Sequence, residues 1–130
     1  MSTLAVIDQW HHILQAHDFA LLDQLLADDV VFWSPVVHRP QQGKLMTMMY
    51  LSAAYQVLFN GSFRYVREVV GAHDAVLEFE VEIDGLLING VDMIRWNDAQ
   101  HIVDFKVMVR PLKAMNLLHQ KMAEMLGKLA

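Results

Sequence analysis

Apolar side chains recur at helical spacing near the start of the chain. Val6, Trp10 and Ile13 lie three or four residues apart, as they do along one face of a helix. Ser2 and Thr3 precede them and are residue types that cap helix N-termini. The pattern therefore predicts a first helix that these two residues can cap.

Three further elements follow before the period changes. Asp18 predicts the start of a short second helix, because aspartate caps helices well. Residues 30–33, Val-Val-Phe-Trp, predict a short strand that a Ser-Pro step ends. Proline and glycine predict a loop over residues 36–43, and the helical period returns over residues 44–59.

From residue 63 onward the period becomes that of β-strands. Leu77 and Phe79, for example, alternate with the acidic Glu78 and Glu80. The predicted strands cover residues 63–70, 75–83, 86–96 and 101–110, and a last helix covers residues 112–129. Helices first and strands later favour an α+β fold, in which helices cover one face of a curved antiparallel sheet. The length, 130 residues, predicts a single domain over 1–130.

A tight turn at Asp84-Gly85 predicts which residues face each other across two of these strands. Asp-Gly is favoured in two-residue hairpin turns, because such turns need positive φ. Counting outward from the turn pairs Leu77 with Asp92, and paired residues lie on the same face of a sheet. Asp92 is therefore predicted to be a carboxylate on the apolar, helix-covered face.

The last strand extends this pairing. If residues 97–100 form the loop, Trp96 pairs with His101 and Asp92 pairs with Phe105. The odd-numbered positions from 103 to 109 are all apolar, which agrees with the same face. Asp92 is then expected between apolar neighbours on both adjacent strands.

Burial of this carboxylate has a chemical consequence. Loss of hydration is expected to raise the pKa of Asp92 above its free value of about 3.9. The neutral acid can donate a hydrogen bond or a proton to a ligand oxygen. Two alternatives stay open: Asp92 pairs with a buried arginine or tyrosine, or a bulge turns it outward.

Aromatic and polar residues supply the remaining site candidates. The residues expected to line a cavity for a flat apolar ligand are Trp10, Trp33, Tyr50, Tyr55, Phe105 and Val107. Core packing is the alternative for the tryptophans and tyrosines. Ser34 and His38, after the first strand, are candidates for ordering water or a substrate group, and His38 also for accepting a proton. A solvated loop histidine is the alternative for His38.

Charge and composition exclude several classes of function. Ten basic and fifteen acidic residues give a net charge of −5, which disfavours nucleic acid as a partner. The absence of cysteine excludes disulfides, thiolate nucleophiles and cysteine-ligated metals. No two histidines stand four residues apart and no glycine-rich phosphate loop occurs, so we expect neither a metal nor a cofactor. Lacking a signal peptide and a membrane-spanning stretch, the chain is expected to be cytoplasmic, without a membrane partner.

The last predicted helix carries an apolar seam at spacings of three and four residues. Its members are Met115, Leu118, Met122, Met125 and Leu129. The seam packs either against its own domain or against a second subunit, since methionine adapts well to both kinds of contact.

The order of elements and three segments resemble the nuclear transport factor 2-like superfamily of cone-shaped α+β barrels. The segments are Leu26-Ala-Asp-Asp-Val-Val-Phe-Trp-Ser-Pro35, Gly90-Val-Asp-Met-Ile-Arg-Trp96 and Phe105-Lys-Val-Met-Val-Arg-Pro-Leu-Lys113. The resemblance covers nearly the whole chain and is to an uncharacterised bacterial branch. It implies a cystatin-like roll, in which a curved sheet wraps around the N-terminal helices and a C-terminal helix follows.

Enzymes of this superfamily imply roles for individual residues. Asp92 is similar in position to the oxyanion-hole aspartic acid of bacterial ketosteroid isomerases. Ser34 and Trp10 stand where those enzymes have a proton-shuttling aspartate and a hydrogen-bonding tyrosine, and Val107 stands near a catalytic aspartate of limonene epoxide hydrolases. SnoaL-like polyketide cyclases, which need an apolar cavity and one acid aspartate, are the enzymes whose pattern fits best.

Two functions follow from this reasoning. The first is a homodimeric, cofactor-free cyclase or isomerase that acts on a small apolar carbonyl compound with Asp92 as its acid. The second is a non-catalytic ligand-binding or dimeric assembly module with the same fold. The sequence identifies no second acid–base group, which favours the module.

Overall fold

Helices form where apolar residues have helical spacing, and strands form where they alternate. The computed structural model describes residues 5–129. Its elements are α1 (Val6–Ala16), α2 (Phe19–Leu25), β1 (Leu26–Trp33), β2 (Gln41–Gln42), α3 (Lys44–Leu58), β3 (Arg64–Val70), β4 (Asp74–Ile83), β5 (Leu86–Trp96), β6 (Ile102–Arg110) and α4 (Leu112–Leu129). The predicted α+β class and the C-terminal helix are confirmed, and β2 lies in the segment predicted as a loop.

Local interactions determine where the first two helices meet. α1 ends at His17, which adopts a left-handed φ of 53°. Asp18 then caps α2 as predicted, because its Oδ1 accepts a hydrogen bond from the backbone N–H of Leu21 at 3.1 Å. The predicted capping of α1 by Ser2 and Thr3 lies outside the described residues.

The strands form one curved, open sheet in the order β2-β1-β6-β5-β4-β3. β3 to β6 form an antiparallel meander, whereas β1 runs parallel to β6, with Phe32 beside Phe105. The sheet is therefore mixed, which corrects the expectation of a purely antiparallel one. β1 and β6 are joined through several other elements, so no tight turn imposes an antiparallel direction on them.

The hairpin between β4 and β5 has the predicted register. Asp84 and Gly85 have φ values of 53° and 78°, which a two-residue turn of this hand requires. Leu77 consequently pairs with Asp92. Asp92 is buried, whereas the alternating acidic residues of β4 lie on the opposite face.

The register between β5 and β6 differs from the prediction. Asp92 pairs with Val107 instead of Phe105, and Trp96 pairs with Ile102 instead of His101. The loop closes one residue later, because the N–H of Asn97 donates to the carbonyl of His101 at 3.0 Å. A bulge between Arg95 and Trp96 shifts the register by one more residue. The two shifts together preserve the face on which Asp92 lies.

The C-terminal helix packs against the third helix. Leu118 and Met122 of α4 are buried in a cluster with Ala53 of α3, and Met125 is half-buried beside them. This part of the seam on α4 therefore packs against its own domain, while the side chain of Leu129 lies outside the described residues. In the described part of the chain, none of the helices has the length and apolar character needed to cross a membrane.

Candidate functional site

A cavity of about 70 Å³ lies between the helices and the inner face of the sheet. Its wall is mostly apolar and aromatic. The lining residues that carry polar side-chain atoms are Trp10, Ser34, Tyr55, Tyr65 and Asp92. The cavity therefore resembles a ligand site in character, an apolar space with a few polar groups.

Asp92 is the carboxyl group of this wall. Its side chain projects from β5 beside Leu77 on β4 and Val107 on β6, and only 7% of the residue is exposed. Burial raises the pKa of Asp92 from 3.8 to about 7, although a hydrogen bond from Tyr65 acts in the opposite direction. Near neutral pH the group therefore exists in both its neutral and its ionised form.

Tyr65 connects Asp92 to the first helix. The Tyr65 hydroxyl donates to Oδ2 of Asp92 at 2.6 Å and accepts the indole N–H of Trp10 at 2.9 Å. Burial and the neighbouring carboxylate raise the pKa of Tyr65 well above 10, so the phenol stays protonated. Of the alternatives left open for Asp92, the buried tyrosine partner is present. No hydrogen bond reaches Oδ1 of Asp92 from residues 5–129.

Aromatic rings surround this chain of three hydrogen-bonded side chains. Trp10 meets Phe105 edge to face, with ring centroids 5.1 Å apart. The half-buried Tyr55, Phe59 and Phe63 continue the lining, with successive centroid distances of 4.9 and 5.4 Å. Because these three rings are partly exposed, the cavity approaches the surface beside them.

Six of the nine candidate residues from the sequence line this cavity. They are Trp10, Ser34, Tyr55, Asp92, Phe105 and Val107. Ser34 lies in the segment after β1, where its Oγ accepts the backbone N–H of Val36 at 3.3 Å. The structure thus brings the predicted acid, one hydroxyl and four apolar or aromatic side chains to a common space.

Trp33, Tyr50 and His38 do not line it. Phe32, like Val30 two residues before it, points into the core, so the next residue, Trp33, points to the other face. There the Trp33 indole N–H donates to Asp104 at 2.8 Å. Tyr50 packs against Phe32, with ring centroids 5.7 Å apart, and His38 is exposed in the loop after β1.

Several lining residues were missed by the reasoning from sequence. Tyr65 is the most important of them, since it donates a hydrogen bond to Asp92, and the others that carry aromatic rings are Phe32, Phe59, Phe63 and Phe79. The available signal was the spacing of Phe63 and Tyr65, two apart on one strand and hence on one face. The residues described contain no group of three or more histidine, cysteine or carboxylate side chains that could hold a metal ion.

Comparison with known proteins places the chain in a family. Residues 7–105 match the SnoaL-like domain. The chain belongs to the SnoaL-like domain family. No curated protein matches this SnoaL-like domain by sequence.

The similar solved structures include two that are each more than 30% identical to this SnoaL-like domain. One is a steroid delta-isomerase from Pseudomonas aeruginosa, 34% identical over 95% of this chain and 90% of that one, with a TM-score of 0.89. The other is an uncharacterized protein with a cystatin-like fold, conserved in bacteria, from Silicibacter pomeroyi. It is 31% identical over 92% of this chain and 83% of that one, with a TM-score of 0.83.

A third structure is similar in fold alone. It is an NTF2-like protein of unknown function from Mesorhizobium loti, 21% identical over 82% of this chain and 88% of that one, with a TM-score of 0.70. The predicted nuclear transport factor 2-like superfamily is confirmed by the SnoaL-like family match and the 34% identical steroid delta-isomerase, and this third structure agrees in fold. A SnoaL-like domain with a steroid-isomerase-like fold indicates a function of the small-molecule-binding or isomerase type.

Proposed function

We propose that this SnoaL-like domain binds a small, uncharged carbonyl compound and that Asp92 donates a hydrogen bond to the carbonyl oxygen. One observation carries the proposal: a carboxyl group with a pKa of about 7 lies on the wall of an otherwise largely apolar cavity. A neutral carboxylic acid in such surroundings is an effective donor to a ligand oxygen.

The hydrogen bonds around Asp92 support this direction of donation. Tyr65 gives its hydrogen to Oδ2, and Trp10 gives its N–H to Tyr65. Both donors are therefore already used, and Oδ1 is the carboxyl oxygen left for a ligand. A carbonyl oxygen fits the protonated form of Oδ1, because it accepts a hydrogen bond and carries no charge that burial would penalise.

The proposed reaction is a proton shift of the isomerase or cyclase type. A hydrogen bond from Asp92 stabilises negative charge on the carbonyl oxygen, which makes the neighbouring C–H bond more acidic. That bond breaks with its proton passing to a water molecule held near Ser34, which leaves an enolate, and the protonated water returns a proton to carbon when the enolate collapses to the ketone. Ser34 is proposed for this position because it lines the same cavity and its Oγ is anchored by Val36.

The second candidate is binding without turnover. It is favoured by the composition of the wall, because none of the described lining residues is a histidine, a lysine, an arginine or a second carboxylic acid. General-base catalysis normally uses such a group within hydrogen-bond reach of the proton that it removes. In this version Asp92 selects the ligand and no bond changes.

Binding tests both versions at once. We expect 2-cyclohexen-1-one to bind wild type, measured by ligand-observed NMR, and to bind more weakly as the pH rises through 7. Asp92→Asn, which keeps a donor but loses the titration, is expected to remove that pH dependence. Glu82→Gln, an exposed acid on β4, is the matched control. A wild type without affinity for this or any other small ketone contradicts the proposal.

Deuterium exchange then separates the enzyme from the binding module. Wild type in D₂O is expected to accelerate loss of the ketone's α-hydrogen signals, and both Asp92→Asn and Ser34→Ala are expected to slow it. Binding without acceleration supports the non-catalytic module and rejects the reaction.

The proposal also includes a homodimer. It is supported by the sheet face turned away from the cavity, where Val76, Leu87 and Met108 are 39%, 51% and 52% exposed. Exposed apolar residues grouped on one face are typical of subunit contacts. Light scattering during size-exclusion chromatography is expected to give a mass twice 14.9 kDa. A mass of one chain contradicts this part of the proposal alone.

A further inference from the structure

Gly90 leaves a gap beside Asp92. The two residues are two apart on β5, so both face the cavity side of the sheet, and both are buried. The other inward positions nearby are filled by large side chains, Ile88 and Ile94. The φ of Gly90 lies outside the left-handed region, so its backbone does not require glycine. The reason for glycine at position 90 must therefore be the lack of space for a side chain.

Phe79 fills this gap from the neighbouring strand. It pairs directly with Gly90 across β4 and β5. A Cβ atom added at Gly90 would lie 2.4 Å from Cζ of Phe79 and 2.8 Å from the carbonyl oxygen of Met108, both far inside contact distance. The Phe79 ring therefore rests on the backbone of β5 where any other residue would hold a side chain.

This ring is part of the cavity wall. Phe79 is 1% exposed and lines the same space as Asp92. It stacks on Phe63, with centroids 5.2 Å apart, and its edge faces Tyr65 at 6.5 Å. A ligand that is held at Asp92 and extends along β5 towards Gly90 therefore meets the Phe79 ring.

We infer that Phe79, seated on Gly90, is the residue that limits ligand length and restricts this site to carbonyl compounds of about one ring. The inference rests on the proposed function and names its substrate class. The cavity volume, about 70 Å³, is too small for a fused-ring ligand and is about half of what one ring takes up. An engineered apolar cavity of about 150 Å³ is enough for benzene. Small movements of the half-exposed rings beside the cavity suffice for one ring, whereas a fused-ring ligand needs the space that Phe79 occupies.

Substitution of Phe79 tests this directly. The ligands are 2-cyclohexen-1-one with one ring, 2-tetralone with two and androst-4-ene-3,17-dione with four, and affinities are measured by ligand-observed NMR titration. Phe79→Ala is expected to shift the affinity ratio towards the two-ring ketone by about tenfold or more, the size of effect that a change in pocket volume produces. Phe79→Leu, which opens less space and perturbs the core less, is expected to shift it in the same direction by less.

Two further variants separate pocket size from core damage. Val81→Ala removes apolar volume from the same core cluster, at a residue outside the lining, and is expected to keep the wild-type ratio. Gly90→Ala is expected to push the Phe79 ring into the cavity and weaken binding of the one-ring ketone at least tenfold. Near-ultraviolet circular dichroism establishes that each variant is folded.

The outcomes distinguish this inference from the proposed function. If wild type binds the one-ring ketone and both Phe79 variants keep its size preference, the inference is wrong and the proposed function stands. The inference is also wrong, and the proposed function stands, if wild type binds the four-ring ketone as tightly as the one-ring ketone. If no ketone binds wild type or any variant, the proposed function is wrong and the inference falls with it.

Discussion

Asp92 and Glu78 are carboxylic acids on neighbouring strands, and they occupy opposite faces of the same sheet. Asp92 faces the cavity opposite Leu77, and Glu78, one residue farther along β4, faces the other side. Burial raises the pKa of Asp92 to about 7. A hydrogen bond from Asn89 and the nearby Arg67 lower the pKa of Glu78.

The two faces of this sheet have opposite effects on the pKa of a carboxyl group. Glu78 has partners, Nδ2 of Asn89 at 3.0 Å and Nη2 of Arg67 at 3.1 Å, and both favour the ionised form. Asp92 has Tyr65 as its hydrogen-bond partner and little water, so its ionised form is disfavoured. The position on the sheet therefore determines whether the ionised or the neutral form of an acid is favoured.

The largest expected effect comes from removing the buried acid. The folded-state pKa of Asp92, about 7, exceeds its value in the unfolded chain, so its contribution to stability is complete below about pH 4 and is lost as the pH rises through 7. Asp92→Asn is therefore expected to raise the free energy of unfolding at pH 8 by roughly 2–4 kcal/mol and to change it little at pH 4. Urea unfolding at both pH values measures this. An equal effect at both contradicts the burial of an ionisable group.

A smaller effect on stability is expected when Asp92 is retained and its hydrogen-bond partner, Tyr65, loses its hydroxyl group. Tyr65→Phe leaves the Trp10 N–H and the Asp92 carboxyl without their shared hydroxyl, at an expected cost of about 1–3 kcal/mol in stability. Since the bond from Tyr65 lowers the pKa of Asp92, its removal should raise that pKa further. Carboxyl ¹³C NMR reports the titration. Tyr50→Phe is the control, and an unchanged Asp92 titration in Tyr65→Phe refutes the link.

The comparison extends to a second buried polar side chain. Thr47 on α3 is 0% exposed, and its Oγ1 has no hydrogen-bond partner among the described residues. Thr47→Val is expected to stabilise the fold by about 1 kcal/mol, because a buried unpaired hydroxyl is costly. Thr47→Ser, which retains the hydroxyl, is not expected to stabilise the fold. Thermal unfolding compares the two, and loss of stability in the valine variant argues for a partner of this hydroxyl.

The smallest effect is expected on the outer face. Glu78→Gln should lower stability slightly at pH 7, since the lowered pKa of Glu78 stabilises the folded state above the unfolded value. That difference should shrink as the pH falls below the ordinary glutamate pKa towards pH 3, and it should shrink in high salt, which screens the attraction of Glu78 to Arg67. Unfolding midpoints under the three conditions provide the test. A salt-independent loss in Glu78→Gln as large as the gain expected in Asp92→Asn contradicts the proposed difference between the two faces.

Alternation and turn chemistry were enough to predict the face on which Asp92 lies. The Asp84-Gly85 turn fixed the pairing of β4 with β5, because few conformations join strands through two residues. The partner on β6 could not be predicted in the same way. The shift there depends on how Asn97 and His101 close the loop and on a bulge at Arg95, and neither leaves a clear pattern in the sequence.

Side-chain partners across distant elements were harder still. Trp10 and Tyr65 are 55 residues apart, and a bulge follows Tyr65 in β3, so the pattern of that strand did not show which residues face inward. Trp33 was assigned to the cavity for its chemistry, although alternation with the buried Phe32 already turned it away. Periodicity proved a better guide than residue type at that position.

The hydrogen-bonded chain from Trp10 through Tyr65 to Asp92 can run in one direction. An indole N–H cannot accept, so the phenol must receive from Trp10 and pass its own hydrogen to the carboxyl group. The protonation state of Oδ1 of Asp92, the carboxyl oxygen without a hydrogen bond from Tyr65, then determines which hydrogen bond a ligand can form there. Under the proposed function, this oxygen is expected to favour ketones below pH 7, where it carries the proton, and alcohols or amines above pH 7, where it offers a lone pair. The expected preference then inverts around pH 7 through the gain or loss of one proton.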